Sequence, residues 1–564
     1  MTALAAPSRT RGLTQFGFLA CLIVLVVLPV ASVLYGALQD RSPVYGDTQF
    51  SLDAVANMLG SGDFAQALGN TLALSAVVTV FAGALGVVLG WLVIRTDLPG
   101  RRVFEVLLIA PLFLSPLTGA MAWLILAAPN VGFLNIALRE MFGWRQGVNI
   151  FSFTGIAFVM AVYYVPYAFM AASAVFTGIA ATLEDSARVL GAGLFRTTWR
   201  ITLRLALPAI TGAGLLIFML SAEMFTIPGL LGRPIRFETL VNAVYTAIHR
   251  EPARWNEAAS MGLVLLVFVA GGLLLKGRLD GTSRRYGVVT GQATRARTTK
   301  LGAARWPAFV SCVLVVLVSV VLPLAALVFA SFLQFTTSNF RRMVFTLGNY
   351  RALGEGIAFD AVMNTLALSL IVPTLVVGFV LAVGIWCRHY EGTRLARLFV
   401  FLMQLPLCLP GVVLGIGLLW LYFRIPLPIY GTLVILLLAY VAKAMPFVSG
   451  NVLPALDQLD RSLDESARVL GAGPLRVLRR IQAPLTLRAL VGAWLIAFIL
   501  CARELNASIM LYTPGTRVME VLIWDLMESG RSNLAYAISV VQALAIGGLA
   551  ALLQTYVRGA RRVT

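Results

Sequence analysis

The chain has 564 residues, 59% of them hydrophobic and only 12% charged, with 44 lysines and arginines against 25 acidic residues. Soluble domains carry about 25% charged residues, so this composition excludes a set of ordinary soluble domains and indicates a protein of the lipid bilayer. In such a protein the formal charge of +19 is first a signal of topology, and we expect no nucleic-acid partner.

Twelve apolar runs are each long enough to cross the hydrocarbon layer, which takes about 20 helical residues. The predicted spans are Leu13–Leu38, Ala67–Ile94, Val103–Ala128, Phe151–Thr177, Leu205–Leu231, Ala258–Leu275, Pro307–Leu333, Ala361–Trp386, Leu398–Phe423, Ile429–Gly450, Leu485–Leu511 and Leu534–Val557. The first run is too long for the apolar part of a signal peptide, so we expect an uncleaved span. Prolines within the spans predict kinks or breaks: Pro29, Pro111, Pro116, Pro323, Pro406 and Pro410.

The basic residues predict the orientation of these spans. Placing the N-terminus in the cytoplasm puts most of the 44 lysines and arginines on the inner side, as the positive-inside rule requires. An even number of spans then returns the C-terminus to the same side. We therefore expect a multi-pass protein with both termini in the cytoplasm.

The chain divides into two halves with an internal repeat. A polar, basic segment at 278–306 separates residues 1–277 from residues 307–564, and we expect it to be a cytoplasmic linker. LEDSARVLGAG at 183–193 recurs as LDESARVLGAG at 463–473, and Asn70–Ser75 recurs as Asn364–Ser369. Six spans per half place both loops on one face, so the halves are predicted to be parallel repeats. The identical loops indicate a shared kind of partner, or else sequence retained from a gene duplication.

Each repeated loop favours a short helix, a sharp turn and a second short helix. Asp185 and Glu465 lie near the start of the first helix, where an acid suits the helix dipole. Gly191 and Gly471 allow the left-handed conformation that ends many helices. The result is a compact helix-turn-helix loop at the ends of two spans. Such a loop can transmit force as a rigid lever when a partner binds it.

These loops resemble the EAA motif of importer-type ABC permeases, in which E-A-A is followed by three residues, a glycine and later I-x-L-P. The matching residues are Asp185, Ser186, Ala187 and Gly191 in the loop 183–204, and Glu465, Ser466, Ala467 and Gly471 in the loop 463–484. The second copy continues with Ile481-Gln482-Ala483-Pro484, whereas the first has Arg204 where proline is usual.

The resemblance implies a MetI-like fold of about twelve helices in two parallel six-helix repeats, located in the bacterial inner membrane. It implies that each loop is a coupling helix that docks on a cytoplasmic ABC ATPase, with two ATPase copies expected, and that a periplasmic binding protein delivers the solute. Two fused halves resemble ferric-iron permeases, with thiamine, phosphonate and polyamine permeases as alternatives. No GxxxxGK[ST] motif occurs in the sequence, so ATP hydrolysis is assigned to a separate subunit.

Charged residues within the spans form a second candidate site. An intramembrane charge costs about 2.5–3.5 kcal/mol on insertion scales, so it usually faces a cavity or a partner. Glu223 aligns with Arg503, beside Glu504, and these residues either line the solute pathway or form a static ion pair between the halves. A tyrosine cluster in the fourth span offers either ligands for a hard cation or anchors at the membrane interface: Tyr163, Tyr164 and Tyr167.

Other functional classes have less support. A secondary transporter also uses parallel halves, but it needs coupling-ion sites and gives no reason for two identical loops. The chain has only two histidines, and its five cysteines are far apart in sequence, so we expect no metal centre. No cluster of catalytic residues is evident, and we expect neither a cofactor nor enzymatic activity. The segment from Arg233 to Glu257 is long for an outer loop and is predicted to hold a short helix.

Overall fold

The computed structural model describes residues 8–40, 49–144, 147–179, 181–286, 298–337, 342–424 and 429–559. Within these ranges the only β-structure is three isolated bridges, which confirms the predicted all-helical class. Residues 287–297 of the predicted linker lie outside the described residues. The helix before them continues to Tyr286, so the start of the predicted linker is helical.

The first half contains fourteen helices in the described ranges. They are α1 (Ser8–Leu22), α2 (Leu28–Ala37), α3 (Asp53–Gly60), α4 (Gly62–Arg95), α5 (Arg101–Leu107), α6 (Pro116–Ala127), α7 (Phe133–Phe142), α8 (Phe153–Gly178), α9 (Ala181–Val189), α10 (Leu194–Thr197), α11 (Leu203–Ala222), α12 (Thr226–Gly232), α13 (Leu240–His249) and α14 (Trp255–Tyr286). A five-residue π-turn joins α1 to α2 and another leads into α11. The predicted helix between Arg233 and Glu257 is present as α13.

The second half repeats this order. Its helices are α15 (Arg305–Val316), α16 (Leu322–Ser331), α17 (Gly348–Arg351), α18 (Gly356–His389), α19 (Arg394–Gln404), α20 (Gly411–Arg424), α21 (Leu433–Asp457), α22 (Arg461–Val469), α23 (Pro474–Val477), α24 (Ala483–Ala502), α25 (Ser508–Leu511), α26 (Met519–Glu528) and α27 (Ser532–Gly559). Five-residue π-turns recur between α15 and α16 and before α24. The repeat therefore extends to the irregular turns.

The third predicted span of each half is sharply bent. Among the described residues, ten of the twelve predicted spans are helices long and apolar enough to cross a membrane. Each of the other two consists of two helical segments that meet at an angle, 98° in the first half and 108° in the second. Pro111 lies in a short 3₁₀ turn, and Pro116 then starts α6, with Ser115 as its cap. Proline cannot donate a backbone hydrogen bond, so the helix breaks here. The breaks predicted from Pro111, Pro116, Pro406 and Pro410 are confirmed within the predicted spans Val103–Ala128 and Leu398–Phe423.

The two halves are parallel and interlocked. The first span of each half packs against the bent span of the other half, α2 on α20 and α16 on α6. Gly417 lies so close to α2 that an added Cβ would be 2.4 Å from the Pro29 carbonyl oxygen. An ion pair between Arg233 and Glu528 joins the two halves. We call this end of the molecule outer, and the opposite end, which carries the repeated loops, inner.

A pair of glycines lets α4 and α8 pack closely. A Cβ on Gly86 would lie 2.4 Å from the Ala168 Cβ, and one on Gly90 would lie 3.0 Å from the Ala172 Cβ. Small residues four apart are a common device for close helix packing in membranes. We expect Gly86→Val to lower stability by at least about 1–3 kcal/mol, because overpacking forces backbone shifts. Gly83 lies on the same helix with nothing within 4 Å of its added Cβ.

Gly83→Val is therefore the matched control for Gly86→Val. Thermal unfolding of the detergent-purified protein, with the monodisperse fraction as a second readout, would compare the two variants. Equal melting temperatures would show that the close approach of α4 to α8 does not contribute to stability.

Candidate functional site

Each half carries its repeated loop as two short helices around a left-handed glycine. After α9 and α22, Gly191 and Gly471 have φ angles of +80° and +78°. Other residues rarely adopt this conformation, and nothing lies within 4 Å of a Cβ added to either glycine. Glycine is therefore required at these two positions by the backbone conformation and not by close neighbours. The turn predicted from the sequence is confirmed in both copies.

The eight loop residues chosen from the sequence lie around these turns. Asp185 and Ala187 are half-buried, Ser186, Glu465 and Ser466 are exposed, and Ala467 is buried. The carbonyls of Ser186 and Ala187 accept hydrogen bonds from Leu190 and Ala192, and those of Ser466 and Ala467 accept them from Leu470 and Ala472. The two loops thus end their first helix with the same pair of backbone bonds.

The tip of each loop is a pair of exposed apolar side chains. Val189 and Leu190 are 88% and 86% exposed, and Val469 and Leu470 are each 86% exposed. Burying such a side chain is favourable by about 1.5–3 kcal/mol, so the tips are suited to bind an apolar surface. Sequence reasoning did not select these residues, although both pairs belong to the identical repeat.

A buried acid anchors the first loop to the inner end of α4. Glu184 precedes the acid chosen from the sequence, and its Oε1 accepts hydrogen bonds from Arg95 Nη2 at 2.8 Å and from Thr202 Oγ1 at 2.7 Å. The Arg95 and Glu184 side chains are 2% and 7% exposed. Removing one partner of a buried ion pair typically costs about 3–5 kcal/mol. Asp185, the predicted site residue, is not part of this ion pair.

The second loop has an equivalent anchor with different residues. Asp464 lies 3.7 Å from Arg388 Nη2, at the inner end of α18, and accepts 3.1 Å hydrogen bonds from Gln482 Nε2. Arg388 also donates to the carbonyls of Leu456 and Leu459. The loop anchor is therefore a repeated feature that differs in side-chain identity between the halves.

Asp460 precedes the start of α22. Its Oδ1 accepts a 2.9 Å hydrogen bond from the Ser462 N–H, which satisfies one of the free donors at a helix start. This bond from Ser462 holds the pKa of Asp460 below its ordinary value. The acid stays ionised near neutral pH, where its charge suits the helix dipole.

All three charged residues predicted to line a pathway lie around one cavity. It has a volume of about 130 Å³ and is bounded by both halves. Its ionisable lining residues are Tyr163, Tyr164, Tyr167, Glu223, Arg503, Glu504 and Glu520. Glu520, which is 2% exposed, was not selected from the sequence because it lies in a short helix outside the predicted spans.

Arg503 and Glu504 have partners other than those considered from the sequence. Arg503 Nη1 donates to Tyr163 Oη at 2.9 Å and to the carbonyls of Leu112 and Leu114, in the bend between α5 and α6. Glu504 Oε2 accepts a 2.7 Å hydrogen bond from Lys443 Nζ. Among the described residues, neither a Glu223–Arg503 nor an Arg503–Glu504 ion pair forms. The static pairs proposed from the sequence are therefore wrong, and Arg503 instead links the halves through backbone carbonyls.

The tyrosine cluster lies in the protein interior. Tyr163 and Tyr164 are 8% and 2% exposed, and Tyr164 Oη donates to the Leu220 carbonyl at 2.7 Å. Side chains buried in this way do not face lipid head groups, so the interpretation as interface anchors is wrong for these two residues. Among the described residues, no group of three or more His, Cys, Asp or Glu is arranged to hold a metal ion.

Aromatic residues of both halves meet at the outer end. Trp524 on α26 lies against Phe225 and Tyr245 of the first half, with ring centroids 5.0 and 6.3 Å apart. The ion pair between Arg233 and Glu528 lies in the same region, with side chains 67% and 33% exposed. We call these five residues the outer contact.

Two parallel, interlocked helical halves with a polar cavity between them and one protruding loop on each define a membrane transport permease with fused halves. The family described as "Binding-protein-dependent transport system inner membrane component" matches residues 60–282 and 376–559. The chain belongs to this family, and it is the permease component of an ATP-driven ABC importer in the inner membrane. Such a system works with a periplasmic binding protein and an ATPase.

Relatives of the chain are permeases of several transport systems. It is 25% identical to the "Ferric transport system permease protein FbpB" of Actinobacillus pleuropneumoniae over 91% of this chain and 73% of that protein. It is 29% identical to the "Putative 2-aminoethylphosphonate transport system permease protein PhnV" of Salmonella paratyphi A, over 39% of this chain and 82% of that protein. It is 28% identical to the "Putrescine transport system permease protein PotI" of Escherichia coli, over 35% of this chain and 73% of that protein.

Proposed function

We propose that this chain is the gated conduit through which ferric iron, released by a periplasmic binding protein, enters the cytoplasm. The observation that carries the proposal is the pair of protruding loops with matching backbone geometry and exposed apolar tips. Two equivalent tips on one face suit two copies of one ATPase. The chain itself has no catalytic role and no cofactor, since ATP hydrolysis belongs to the ATPase subunits.

The loops couple ATP hydrolysis to the conduit. Asp185, Ser186, Ala187 and Gly191 form the first docking loop, and Glu465, Ser466, Ala467 and Gly471 form the second. In both loops a left-handed glycine turns the chain directly after the tip residue, Leu190 or Leu470. Closure of the ATPase dimer draws the two loops together, and the spans that follow them then change the cavity's access from the inner to the outer side.

Glu223, Arg503 and Glu504 line the solute pathway. They surround the cavity between the halves together with tyrosines and Glu520, and oxygen atoms of carboxylates and phenols suit hard cations better than soft ones. Iron is also the solute of the ferric transport system to which the Actinobacillus pleuropneumoniae relative is assigned by name, and that relative aligns with 91% of this chain. Thiamine, a phosphonate or a polyamine are the alternative solutes of the same importer class, and a secondary transporter is the alternative mechanism.

The proposed topology places both termini and both loops in the cytoplasm. Residues 1–277 form the first permease half, 278–306 a cytoplasmic linker and 307–564 the second half. Support comes from the distribution of lysines and arginines under the positive-inside rule, and from Thr299, whose N–H bonds the Arg95 carbonyl at 2.8 Å, at the same end of α4 as the first loop.

Reconstitution tests the solute and the energy source together. We expect proteoliposomes that contain this permease and its ATPase, with the binding protein outside, to accumulate labelled ferric iron only when ATP is inside. Labelled thiamine, 2-aminoethylphosphonate and putrescine serve as matched solutes under identical conditions. Uptake of one of these compounds in place of iron would show that this compound is the solute. Uptake by the permease without ATPase would refute the ABC mechanism.

A further inference from the structure

The repeated Asn-Thr pair binds the outer segment of each half. Asn70 Nδ2 donates to the Glu238 carbonyl at 2.9 Å, and Thr71 Oγ1 accepts the Leu240 N–H at 2.8 Å while donating to the Ala67 carbonyl. In the sequence alone, this pair is recognisable only as part of the internal repeat. In the fold, it lies near the outer end of α4.

The second half makes the same contacts. Asn364 Nδ2 donates to the Arg517 carbonyl at 2.9 Å, and Thr365 Oγ1 accepts the Met519 N–H at 2.8 Å. Leu240 and Met519 are the first residues of α13 and α26, where the N–H has no partner within its own helix. Each buried threonine therefore fixes the start of an outer helix to a long span.

The outer helices fixed in this way carry three of the five residues of the outer contact. Tyr245 lies on α13, while Trp524 and Glu528 lie on α26. At their other ends, α4 and α18 hold the coupling loops through Arg95 with Glu184 and Arg388 with Asp464. One helix in each half thus touches both the loop that faces the ATPase and a helix that carries part of the outer contact.

We propose that α4 and α18 are connecting rods that transmit movement of the coupling loops directly to the outer contact. The inference rests on the proposed function, because it needs the ATPase to move the loops. Each helix has 34 residues and is therefore about 50 Å long at 1.5 Å per residue. Bonds at both ends make the helix move with the loop and with the outer helix together.

The first half provides the sharper test. Its inner anchor is shorter, at 2.8 Å for Arg95–Glu184 against 3.7 Å for Arg388–Asp464, and α18 contains Pro373 in its interior. Thr71→Val removes the hydroxyl that holds Leu240 and keeps the side-chain shape. Thr71→Ser retains the hydroxyl, and Thr79→Val removes a hydroxyl on the same helix that bonds only the Ser75 carbonyl of its own helix.

The readout is cross-linking across the outer contact in the complete complex with ATPase and binding protein. Tyr245→Cys on α13 and Trp524→Cys on α26, whose ring centroids lie 6.3 Å apart, are introduced into every variant, and cross-linking by a bifunctional thiol reagent is followed with and without a non-hydrolysable ATP analogue. We expect nucleotide to lower cross-linking in the parent, in Thr71→Ser and in Thr79→Val. In Thr71→Val, the response of cross-linking to nucleotide is lost in part, because α13 no longer follows α4 while α18 still moves α26 through Thr365. Uptake by the same variant without the added cysteines falls about tenfold, within the usual range of coupling between sites.

Two results separate the connecting rod from the proposed function. A Thr71→Val complex that responds to nucleotide as the parent does would refute the rod while leaving the importer intact. A parent complex that neither retains ATPase nor responds to nucleotide would refute the proposed function itself. ATPase co-purification is therefore measured for each variant alongside cross-linking, and Thr71→Val must retain the ATPase for its loss of response to support the rod.

Discussion

Replacing both Leu190 and Leu470 by aspartate should abolish uptake and release the ATPase from the purified complex. Each side chain is 86% exposed in the isolated chain, so the substitutions leave folding within about 0.5 kcal/mol, as is usual for surface positions. In the complex, each leucine contributes about 1.5–3 kcal/mol by burial. A carboxylate at the same position must also lose its hydration, which weakens ATPase binding further.

Matched variants separate an effect at the interface from an effect on folding. Leu190→Met with Leu470→Met preserves apolar contact, and we expect it to retain most uptake and all co-purified ATPase. Each single aspartate variant should retain one docking loop and show an intermediate loss of affinity. The measurements are ATPase co-purification, solute uptake and thermal stability. Normal uptake by the double aspartate variant would show that these tips are not the docking surface.

The sequence predicted the conformation of the repeated loops well because their signal is local. A left-handed glycine after a short amphipathic helix is recognisable from the residues alone, and its exact repetition identified Gly191 and Gly471 as equivalent. The anchoring acid was missed for the opposite reason. Glu184 and Asp185 are neighbours about 100° apart on one helix, and only contact with Arg95, 89 residues away in sequence, shows which acid is buried.

The long-range contacts of the cavity also depend on the fold. Sequence alignment of the halves brought Glu223 and Arg503 together as equivalent positions, and both do line one cavity. The partners of Arg503 could not be predicted, because they are backbone carbonyls at a helix bend, and any residue type can supply a backbone carbonyl. Proline predicted that bend, but its angle of 98° depends on how α5 and α6 pack against the other half.

Neutralising Glu223 should slow uptake without disturbing assembly. Glu223 lines the cavity and makes no ion pair among the described residues, so Glu223→Gln removes charge and leaves no buried partner. If they are all ionised, Glu223, Glu504 and Glu520 outweigh Lys443 and Arg503 by one negative charge. A unit charge 4 Å from a cation contributes about 4 kcal/mol at an effective dielectric constant of 20, and even part of this energy corresponds to a tenfold or greater loss of uptake.

Two comparisons make this result specific to the pathway. Glu223→Asp keeps the charge and should restore most uptake, whereas Glu140→Gln removes an exposed acid from α7, outside the cavity, and should have no effect. ATPase co-purification and thermal stability should match the parent in all three variants, because the coupling loops lie at the inner end. Unchanged uptake in Glu223→Gln would remove this residue from the pathway, whereas a loss shared by Glu223→Asp would indicate that geometry rather than charge governs passage.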